Sequence, residues 1–387
     1  MSYIEKLLNG AEVEWKTLGE VAELKRGTSI TKNTSNEGQY PVISGGQKPA
    51  YFIDQFNRNG ETITVAGSGA YAGFVMYWNE PIFVGDAFSI KADELKVLPR
   101  YAYHFLLSIQ DKIHSLKSGG GVPHVYAKDV ARFQIPIPPL ETQKEIVRIL
   151  DSFTELTAEL TAELTARKKQ YEHYRDKLLN FSSVNGGGYK WLALKEIVME
   201  TNNIRWKDDD SIYRYIDLTS VSRDTNSVIE TSEINAKNAP SRAQKLVLKS
   251  DVIFATTRPT QQRLCLINDE YSGQIASTGY CVLRANTEDV LPKWIFFHLT
   301  SVDFRNYVAE NQSGSAYPAI SDAKVKEFTI PIPPLEEQER IVTILDKFDT
   351  LTTSISEGLP KEIELRKKQY EYYRDMLLAF PKNNLTA

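Results

Sequence analysis

The side chains best suited to chemistry lie in one short polar loop in the second half of the chain. The segment DVIFATT, residues 251–257, is rich in β-branched and aromatic residues and predicts a strand. In the major groove of DNA, arginine pairs well with guanine and glutamine with adenine. The loop after the strand carries two residues of each type, and it therefore predicts contact with DNA bases. A basic surface loop without that role is the alternative. The four residues are Arg258, Gln261, Gln262 and Arg263.

A basic stretch surrounds this loop in a chain that is acidic as a whole. Five basic residues and one acidic residue, Asp251, fall between Arg242 and Arg263, so the stretch has a net charge of +4. The full chain of 387 residues has a net charge of −4. The overall charge argues mildly against nucleic-acid binding over the whole surface, whereas the local charge predicts a footprint on DNA phosphates.

Other loops offer further candidates. The first half has a strand, ETITVAG, whose following loop lacks arginine; aligning the halves pairs residues 60–73 with 250–263. Gly45 and Gly46 in ISGGQKPAY would let the backbone approach a ligand closely, and the matching stretch in the second half is 215–221. The Gly-rich segments 116–126 and 311–320 fit either DNA contact or a simple turn. The candidate DNA-binding residues are Ser44, Gln47, Lys48, Tyr51, Ser68, Tyr71, Lys117, Ser118, His124, Thr219, Arg242, Thr257, Arg258, Gln261, Gln262, Arg263, Ser313 and Tyr317.

An internal duplication must position these loops. Residues 133–153, FQIPIPPLETQKEIVRILDSF, recur at an offset of 195 as FTIPIPPLEEQERIVTILDKF, residues 328–348. RKKQYEHYRDKLLNF at 167–181 recurs at an offset of 199 as RKKQYEYYRDMLLAF, residues 366–380. The second copy is therefore four residues longer, which is about one helical turn.

The tract LTAELTAELTAR, residues 156–167, lies in the interval of variable length. Its three leucines share one helical face, and a continuous helix over about 141–181 is predicted. Each four-residue copy lengthens a helix by about 6 Å and rotates the downstream chain by about 40°. The tract is then a spacer adjustable in whole turns, or else an ordinary amphipathic helix. In the second copy, Gly358 and Pro360 predict an interruption.

The globular parts, about 15–132 and 191–327, predict α+β folds in which β-strands dominate. LPRYAYHFLLSIQDKIHSL and LPKWIFFHLTSVDFRNYVAE each predict one helix that starts near a proline. Tyrosine and leucine at helical spacing predict the seam between the two long helices, with the residues Tyr171, Tyr174, Leu178, Tyr370, Tyr373 and Leu377.

These patterns predict four segments. The two globular domains are predicted at 1–132 and 185–327, and the helical regions after them at 133–184 and 328–387. A flexible joint is predicted at 185–188, where the sequence reads NGGG.

Composition excludes several classes of protein. No run of 18 apolar residues occurs, and the N-terminus lacks an apolar signal core, so neither a membrane span nor secretion is expected. Two cysteines, Cys265 and Cys281, fit a reducing cytoplasm.

Catalytic motifs are absent from the sequence. The Pro-Pro pairs follow Ile and precede Leu, unlike the Asn/Asp-Pro-Pro-Tyr/Phe loop of adenine methyltransferases, and no Gly-Lys-Ser/Thr phosphate loop occurs. Histidine and cysteine lack metal-ligand spacing, and Glu94-Leu-Lys96 lacks the upstream acidic pair of a nuclease. We predict no catalytic residue, metal or cofactor in this chain.

The twin IPIPPLExQ and RKKQYExYRDxLL motifs, the alternating variable domains and the TAEL tract resemble the specificity subunits of type I restriction-modification systems. The resemblance covers about residues 15–380. It implies that each variable domain is a target recognition domain for one half of a split, asymmetric DNA sequence. It also implies that the two long helices form an antiparallel coiled coil that sets the distance between the domains.

The resemblance further implies partners with their own cofactors. Two modification subunits would dock on the helices, bind S-adenosylmethionine and methylate adenine, and restriction subunits would add an ATP- and Mg-dependent nuclease. DNA rises about 3.4 Å per base pair, so one added TAEL copy would lengthen the unread gap by about one or two base pairs. The alternatives are a coiled-coil scaffold whose β-rich domains bind proteins and a self-sufficient DNA methyltransferase.

Overall fold

The computed structural model describes residues 3–181, 189–354 and 356–381, and the joint predicted at 185–188 lies outside the described residues. The chain divides into two compact units. The first is Met1–Glu159 with Glu364–Ala387, and the second is Leu160–Ile363. Each unit therefore combines one globular part with helical segments from both copies of the duplication. The four predicted segments remain a prediction.

The elements of the first unit build two sheets and a separate strand pair. The strands are β1 (Glu14–Thr17), β2 (Ala22–Arg26), β3 (Tyr40–Ile43), β4 (Phe52–Ile53), β5 (Thr62–Ala66), β6 (Val75–Trp78), β7 (Phe83–Val84), β8 (Ala87–Ala92) and β9 (Gln134–Ile137). The helices are α1 (Tyr3–Leu8), α2 (Leu18–Val21), α3 (Pro99–Ser108), α4 (Gln110–Ser115), α5 (Ala127–Val130) and the first half of α6 (Leu140–Leu179). A short 3₁₀ turn spans Lys32–Thr34.

The second unit repeats this plan. Its strands are β10 (Lys190–Ala193), β11 (Val198–Met199), β12 (Tyr213–Ile216), β13 (Ser232–Ile234), β14 (Ala243–Leu246), β15 (Val252–Ala255), β16 (Leu264–Leu266), β17 (Ile275–Ser277), β18 (Tyr280–Ala285) and β19 (Thr329–Ile332). Its helices are α7 (Leu194–Ile197), α8 (Pro292–Thr300), α9 (Val302–Asn311), α10 (Asp322–Lys326) and α11 (Leu335–Thr353), followed by α12 (Gly358–Leu377), which ends in the first unit. Short 3₁₀ turns span Trp206–Asp208, Leu218–Ser220, Pro259–Gln261 and Asp269–Tyr271.

The two units share one sheet topology. The order β2-β8-β5-β6 in the first unit matches β11-β18-β15-β16 in the second, and both sheets are antiparallel. A second sheet in each unit, β4-β3-β7 and β13-β12-β17-β14, contains one parallel pair, β3 with β7 and β12 with β17. The α+β class predicted from the sequence is confirmed, and the central strands β5 and β15 are entirely buried.

The strand register corrects our alignment of the two halves by one residue. Pairing of β5 with β6 ends at Val65 and Val75, and pairing of β15 with β16 ends at Phe254 and Leu264. Val65 therefore corresponds to Phe254, whereas the alignment of 60–73 with 250–263 placed it opposite Ala255. A one-residue slip turns every strand side chain to the other face, so this correction decides which loop residues correspond.

The two helices predicted after the sheets are each broken in two, so that prediction was wrong. Ser301 has extended backbone (φ −67°, ψ 161°) between α8 and α9, and its hydroxyl accepts a hydrogen bond from the Phe304 amide. Serine favours this capping position because its side chain replaces a missing backbone partner. Between α3 and α4, Ile109 leaves helical geometry, and the next side chain, Gln110, bonds to Val75 and Gly73.

Two buried glutamines tie the long helices to the globular parts. Gln143 Oε1 accepts a hydrogen bond from the Leu98 amide at 2.9 Å. Its Nε2 donates to the carbonyls of Lys96 and Pro138, both at 2.9 Å. In the second unit Gln338 makes the matching bonds, to Leu291, Asp289 and Pro333. The glutamine in the first turn of each long helix therefore anchors that helix to its own globular part through the same set of hydrogen bonds.

The long helix α6 is continuous over 40 residues, or about 60 Å, as predicted. The predicted interruption in the second copy is also confirmed, because α11 ends at Thr353 and α12 begins at Gly358. Gly358 has a left-handed backbone (φ +82°), and an added Cβ would lie 2.5 Å from the Thr350 carbonyl oxygen. Only glycine fits this corner without strain. No helix in the described residues is long and apolar enough to span a membrane.

The predicted tyrosine seam is present in both units. In the second unit, Tyr171 and Tyr174 stack on Phe348 with ring centroids 6.3 and 6.1 Å apart. Lys168, which precedes Tyr171 by about one turn, lines the same cavity as Thr352, which follows Phe348, so the paired helices run antiparallel. In the first unit, Tyr373 stacks on Phe153 at 5.1 Å.

Candidate nucleic-acid interface

In the first unit, backbone hydrogen bonds join the loop after β5, residues 67–71, to the Gly-rich loop at 117–124. Ser68 and His124 form an antiparallel bridge, and Ser118 pairs with the same His124. The Gly69 amide donates to the Pro123 carbonyl at 3.0 Å. These backbone bonds place two of the three predicted loops side by side at the end of the central strand.

The third predicted loop of this unit joins the same place. A Cβ on Gly45 would collide with the Ser68 carbonyl oxygen, so the absence of a side chain permits this approach. The Gly85 amide donates to the Ile43 carbonyl at 2.8 Å, just before Ser44. Ser68 Oγ also hydrogen-bonds to the Asp86 carboxylate. We call residues 44–51, 67–71 and 117–124 together the first loop cluster.

The candidate side chains of the first loop cluster differ in their availability. Gln47, Lys48 and Tyr71 are exposed. Lys117 Nζ donates to the Ala70 carbonyl at 3.0 Å, and the half-buried Tyr51 hydroxyl donates to Ile30. The exposed side chains are therefore the better placed ones for a ligand, while Tyr51 also contributes to internal packing.

The second unit has an equivalent cluster built by the same backbone bonds. Thr257 and Ser313 both form bridges with Ala319. The Arg258 amide donates to the Pro318 carbonyl at 2.7 Å, as Gly69 does to Pro123 in the first unit. The Thr256 amide donates to the Gly279 carbonyl, and the Tyr280 hydroxyl donates to the Asp217 carbonyl at 3.0 Å. These contacts bring Thr219 and its neighbours to the same end of the sheet.

We call residues 217–220, 256–263 and 313–319 the second loop cluster. Arg242 lies next to this cluster. Its carbonyl accepts a hydrogen bond from the Thr278 amide at 2.7 Å, and the neighbouring Gly279 carbonyl accepts one from Thr256 of the cluster. The guanidinium carbon of Arg258 lies 5.5 Å from the ring centroid of Tyr317, and that tyrosine is 72% exposed. A cation held over an aromatic face in this way keeps its hydrogen-bonding edges accessible.

The other arginine and the two glutamines in the loop after β15, residues 258–263, are less exposed than Arg258. Arg263 is half-buried and donates to the Val221 carbonyl. Gln262 is half-buried, with Nε2 donating to Pro259 at 3.2 Å, and Gln261 is also half-buried. Of the four polar residues in this loop, Arg258 is the exposed one.

Less positive charge is available on the basic stretch 242–263 than its sequence indicates, because some of its charged side chains form ion pairs in the fold. Lys245 forms an ion pair with Asp322 at 3.2 Å, and Lys249 with Asp269 at 2.8 Å. The buried Asp251 accepts two hydrogen bonds from Arg284, and this pairing raises the pKa of the arginine. Positive charge available to a ligand is therefore concentrated at Arg242 and Arg258, both exposed.

Three residues beside the first loop cluster were missed by the sequence reasoning. Arg26, at the end of β2, lines a small cleft together with His124 and Tyr126. The Tyr126 ring stacks on His124 with centroids 6.1 Å apart, and Lys128 Nζ lies 5.6 Å from its centre. The basic run LKRG at 24–27 was the available signal, but only the pairing of β2 with β8 brings it to this cleft.

Cys265, Cys281 and His298 are buried outside the loop clusters. Burial raises the pKa of Cys265 and of Cys281 to about 12, so neither thiol ionises near neutral pH. Burial lowers the pKa of His298 to about 3. Across the described parts of the chain, no group of three or more His, Cys, Asp or Glu side chains is arranged to hold a metal ion. The exposed side chains of the loop clusters therefore suit binding of a ligand through hydrogen bonds and charge.

Comparisons with known proteins identify the family of the chain. The family described as type I restriction modification DNA specificity domain matches residues 11–167 and 189–365. The chain is 33% identical over 415 residues to the type I restriction enzyme EcoR124I/EcoR124II specificity subunit of Escherichia coli, covering 99% of this chain and 98% of that protein. It is 31% identical over 409 residues to the putative type I restriction enzyme specificity subunit S.HindORF215P of Haemophilus influenzae, covering 98% of each.

A solved structure shares the fold. The crystal structure of a type I restriction-modification system S subunit from M. genitalium matches with a TM-score of 0.62 at 18% identity, covering 99% of this chain and 100% of that chain. At this identity the match supports the arrangement of strands and helices and says nothing about individual residues.

Proposed function

The chain belongs to the type I restriction modification DNA specificity family, and from that premise we propose that each of its two loop clusters reads one half of a two-part DNA target. It is the DNA sequence-specificity subunit of a restriction-modification complex.

One observation carries the proposal: the same loop cluster is built twice on the same scaffold but with different side chains. The backbone bonds of Gly69 and Arg258 are equivalent, as are the helix anchors Gln143 and Gln338. The side chains presented by those loops differ, with His124 in one cluster where Ala319 stands in the other. A conserved frame with changed contact residues is what reading two different half-sites requires.

We assign the spacing of the two half-sites to the long helices. The TAEL tract occupies the middle of the 40-residue helix α6, and its glutamates are exposed. Adding or removing one copy changes the helix length by about 6 Å while leaving both loop clusters untouched. The gap between half-sites is therefore set by an element that makes no base contact.

The chemistry is assigned to partner subunits. Modification subunits would carry S-adenosylmethionine and methylate adenine, and restriction subunits would use ATP and Mg to cut DNA. The chain itself would supply neither a catalytic residue nor a cofactor, and its location in the cytoplasm stays a prediction. The purified chain should transfer no methyl group to DNA until modification subunits are added.

The test is to produce the chain together with its modification subunits in cells and map every methylated adenine. We expect one asymmetric motif in two parts, separated by a gap of fixed length and free sequence. Exchanging residues 20–130 for the matching part of the Escherichia coli relative should change one part only. Absence of any motif, with the complex assembled, would favour a protein-binding scaffold, and a change in both parts would refute the division between the clusters.

A further inference from the structure

The turn after the central strand has the same geometry in both units. It spans nine residues between the strand pairs Val65–Val75 and Phe254–Leu264. Gly69 and Arg258 each stand four residues after the first member of these pairs. Their amides donate to equivalent proline carbonyls, at 3.0 and 2.7 Å. Gly69 in the first unit is therefore structurally equivalent to Arg258 in the second.

Both positions have a left-handed backbone, but the residue types differ. Gly69 has φ +84°, where glycine carries no penalty, and Arg258 has φ +49°. A side chain with a Cβ is strained in this region. The first unit makes the turn with glycine, so arginine is not needed for the turn to form. Strain retained at an exposed position points to a role for the side chain itself.

The surroundings of Arg258 fit that role. Tyr317, whose ring lies beneath the guanidinium, corresponds to Val122, since the Gly314 and Gly119 turns before them make equivalent close approaches. The pair Arg258–Tyr317 in one unit thus replaces the pair Gly69–Val122 in the other. Within the described residues, no side chain or carbonyl accepts a hydrogen bond from the Arg258 guanidinium, and its planar fork matches the two acceptors of guanine.

We propose that Arg258, positioned by Tyr317 on a strained turn, reads a guanine in the half-site bound by the second loop cluster. The first loop cluster reads its half-site without a side chain at the equivalent position. This inference rests on the proposed function, because it presupposes that the second loop cluster contacts DNA bases.

The experiment measures binding of the full chain, assembled with its modification subunits, to duplexes that contain the mapped target. Each guanine of the second half-site is replaced in turn by 7-deazaguanine, which keeps base pairing but lacks the N7 acceptor. One replacement should weaken binding of the unaltered chain, whereas Arg258→Ala should be insensitive to it. Arg258→Ala itself should lose about 5- to 150-fold in preference for the target over unrelated DNA.

Two further variants separate base reading from charge and from structure. Arg258→Lys keeps the charge without the fork, so it should keep affinity for unrelated DNA and lose the preference. Arg258→Gly relieves the strain, so its melting temperature should be unchanged or about 2–4 °C higher, while the preference is lost. Ser250→Gly is the matched control, because Ser250 has φ +71° at the opposite end of β15 and its replacement should leave the preference intact.

The outcomes distinguish the inference from the proposed function. If the unaltered complex shows no preference for any sequence, the proposed function fails. If it shows the preference but Arg258→Ala keeps both the preference and the sensitivity to 7-deazaguanine, the inference alone fails. Retention of the preference by Arg258→Lys, or a lower melting temperature for Arg258→Gly than for Arg258→Ala, would likewise overturn it.

Discussion

Among single residues, a buried glutamine anchors the first long helix to its globular part. Gln143 is fully buried and makes three hydrogen bonds to backbone groups, of which the one to Pro138 is also buried. A buried donor or acceptor that loses its partner costs about 1–3 kcal/mol. Gln143 therefore stabilises the fold by providing hydrogen-bond partners for these backbone groups.

We expect Gln143→Ala to lower the free energy of unfolding by about 2–4 kcal/mol, because it leaves the Leu98 amide and two carbonyls without partners. Thermal unfolding monitored by circular dichroism measures the effect. Gln55→Ala is the control, since Gln55 is exposed and should change stability by less than about 0.5 kcal/mol. Equal melting temperatures for the two variants would show that the buried amide does not anchor the helix.

The seam between the long helices contains a carboxyl group whose ionisation opposes folding. Burial, together with the nearby Asp346, raises the pKa of Asp349 to about 6. In the unfolded chain the group ionises near its ordinary value of about 3.9, so between about pH 4 and pH 6 the folded state holds more protons. Stability therefore falls as pH rises through this window and is level above it.

Asp349→Asn removes that penalty. The variant should match the unaltered protein near about pH 4 and gain stability as pH rises to about 6, by up to about 3 kcal/mol, with no further gain above. Melting temperatures of both proteins at about pH 4.5, 6 and 8 provide the measurement. A constant difference at all three values would mean that the gain does not come from the ionisation of Asp349.

Among the elements, Gly358 forms the corner at which the second long helix is interrupted. Gly358 starts α12 with φ +82°, directly against the carbonyls of Thr350 and Leu351. Helix propensity alone would favour alanine at this position. The close carbonyl oxygens decide the opposite, because a Cβ placed 2.5 Å from one of them forces the chain to move.

We predict that Gly358→Ala destabilises the protein by about 2–4 kcal/mol through left-handed strain and the steric clash. Gly120→Ala is the matched control, since a Cβ there meets no atom within 4 Å. Urea unfolding of both variants tests the claim. A Gly358→Ala protein at least as stable as the control would show that the corner between α11 and α12 does not require glycine.

The elements also show how far the sequence could lead. Repeated motifs predicted the long helices, Gly358 and Pro360 predicted the interruption of the second one, and β-branched and aromatic runs predicted the strands at 61–67 and 251–257. All these signals are local in the chain. The break at Ser301 was missed, since serine within an apolar helical pattern is ambiguous until its hydroxyl is seen to cap the Phe304 amide. The one-residue error in aligning β5 with β15 arose because the globular halves have diverged, and only strand pairing fixes the register.

The candidate loops were located by residue type, but their meeting could not be read from the sequence. Ser68, His124 and Gly45 are far apart in the chain and come together through backbone bonds and close glycine contacts. Arg26 was missed because the pairing of β2 with β8 alone brings it to the cleft beside His124. Availability was also hidden, since Lys245 and Arg263 are basic in sequence yet occupied by partners in the fold.

At the scale of the whole chain, the proposed function gives two roles to different parts: reading the DNA and setting the distance between the half-sites. The loop clusters present different side chains on equivalent backbone frames, and α6 carries the tract of repeated turns. Thr161, Ala162 and Glu163 in that tract are exposed, while Leu160 and Leu164 are half-buried. An extra Thr-Ala-Glu-Leu turn after Leu164 preserves this pattern, so it should cost little stability.

The sharpest test of this division of roles is a map of methylated adenines for three chains, each produced with its modification subunits. These are the unaltered chain, a chain with one Thr-Ala-Glu-Leu inserted after Leu164, and a chain lacking residues 161–164. We predict identical half-sites in all three. The unread gap should be longer by about one or two base pairs after the insertion and shorter by the same amount after the deletion. A gap that stays constant in methylated sites, or half-sites that change with the helix, would refute the spacer role of the long helices.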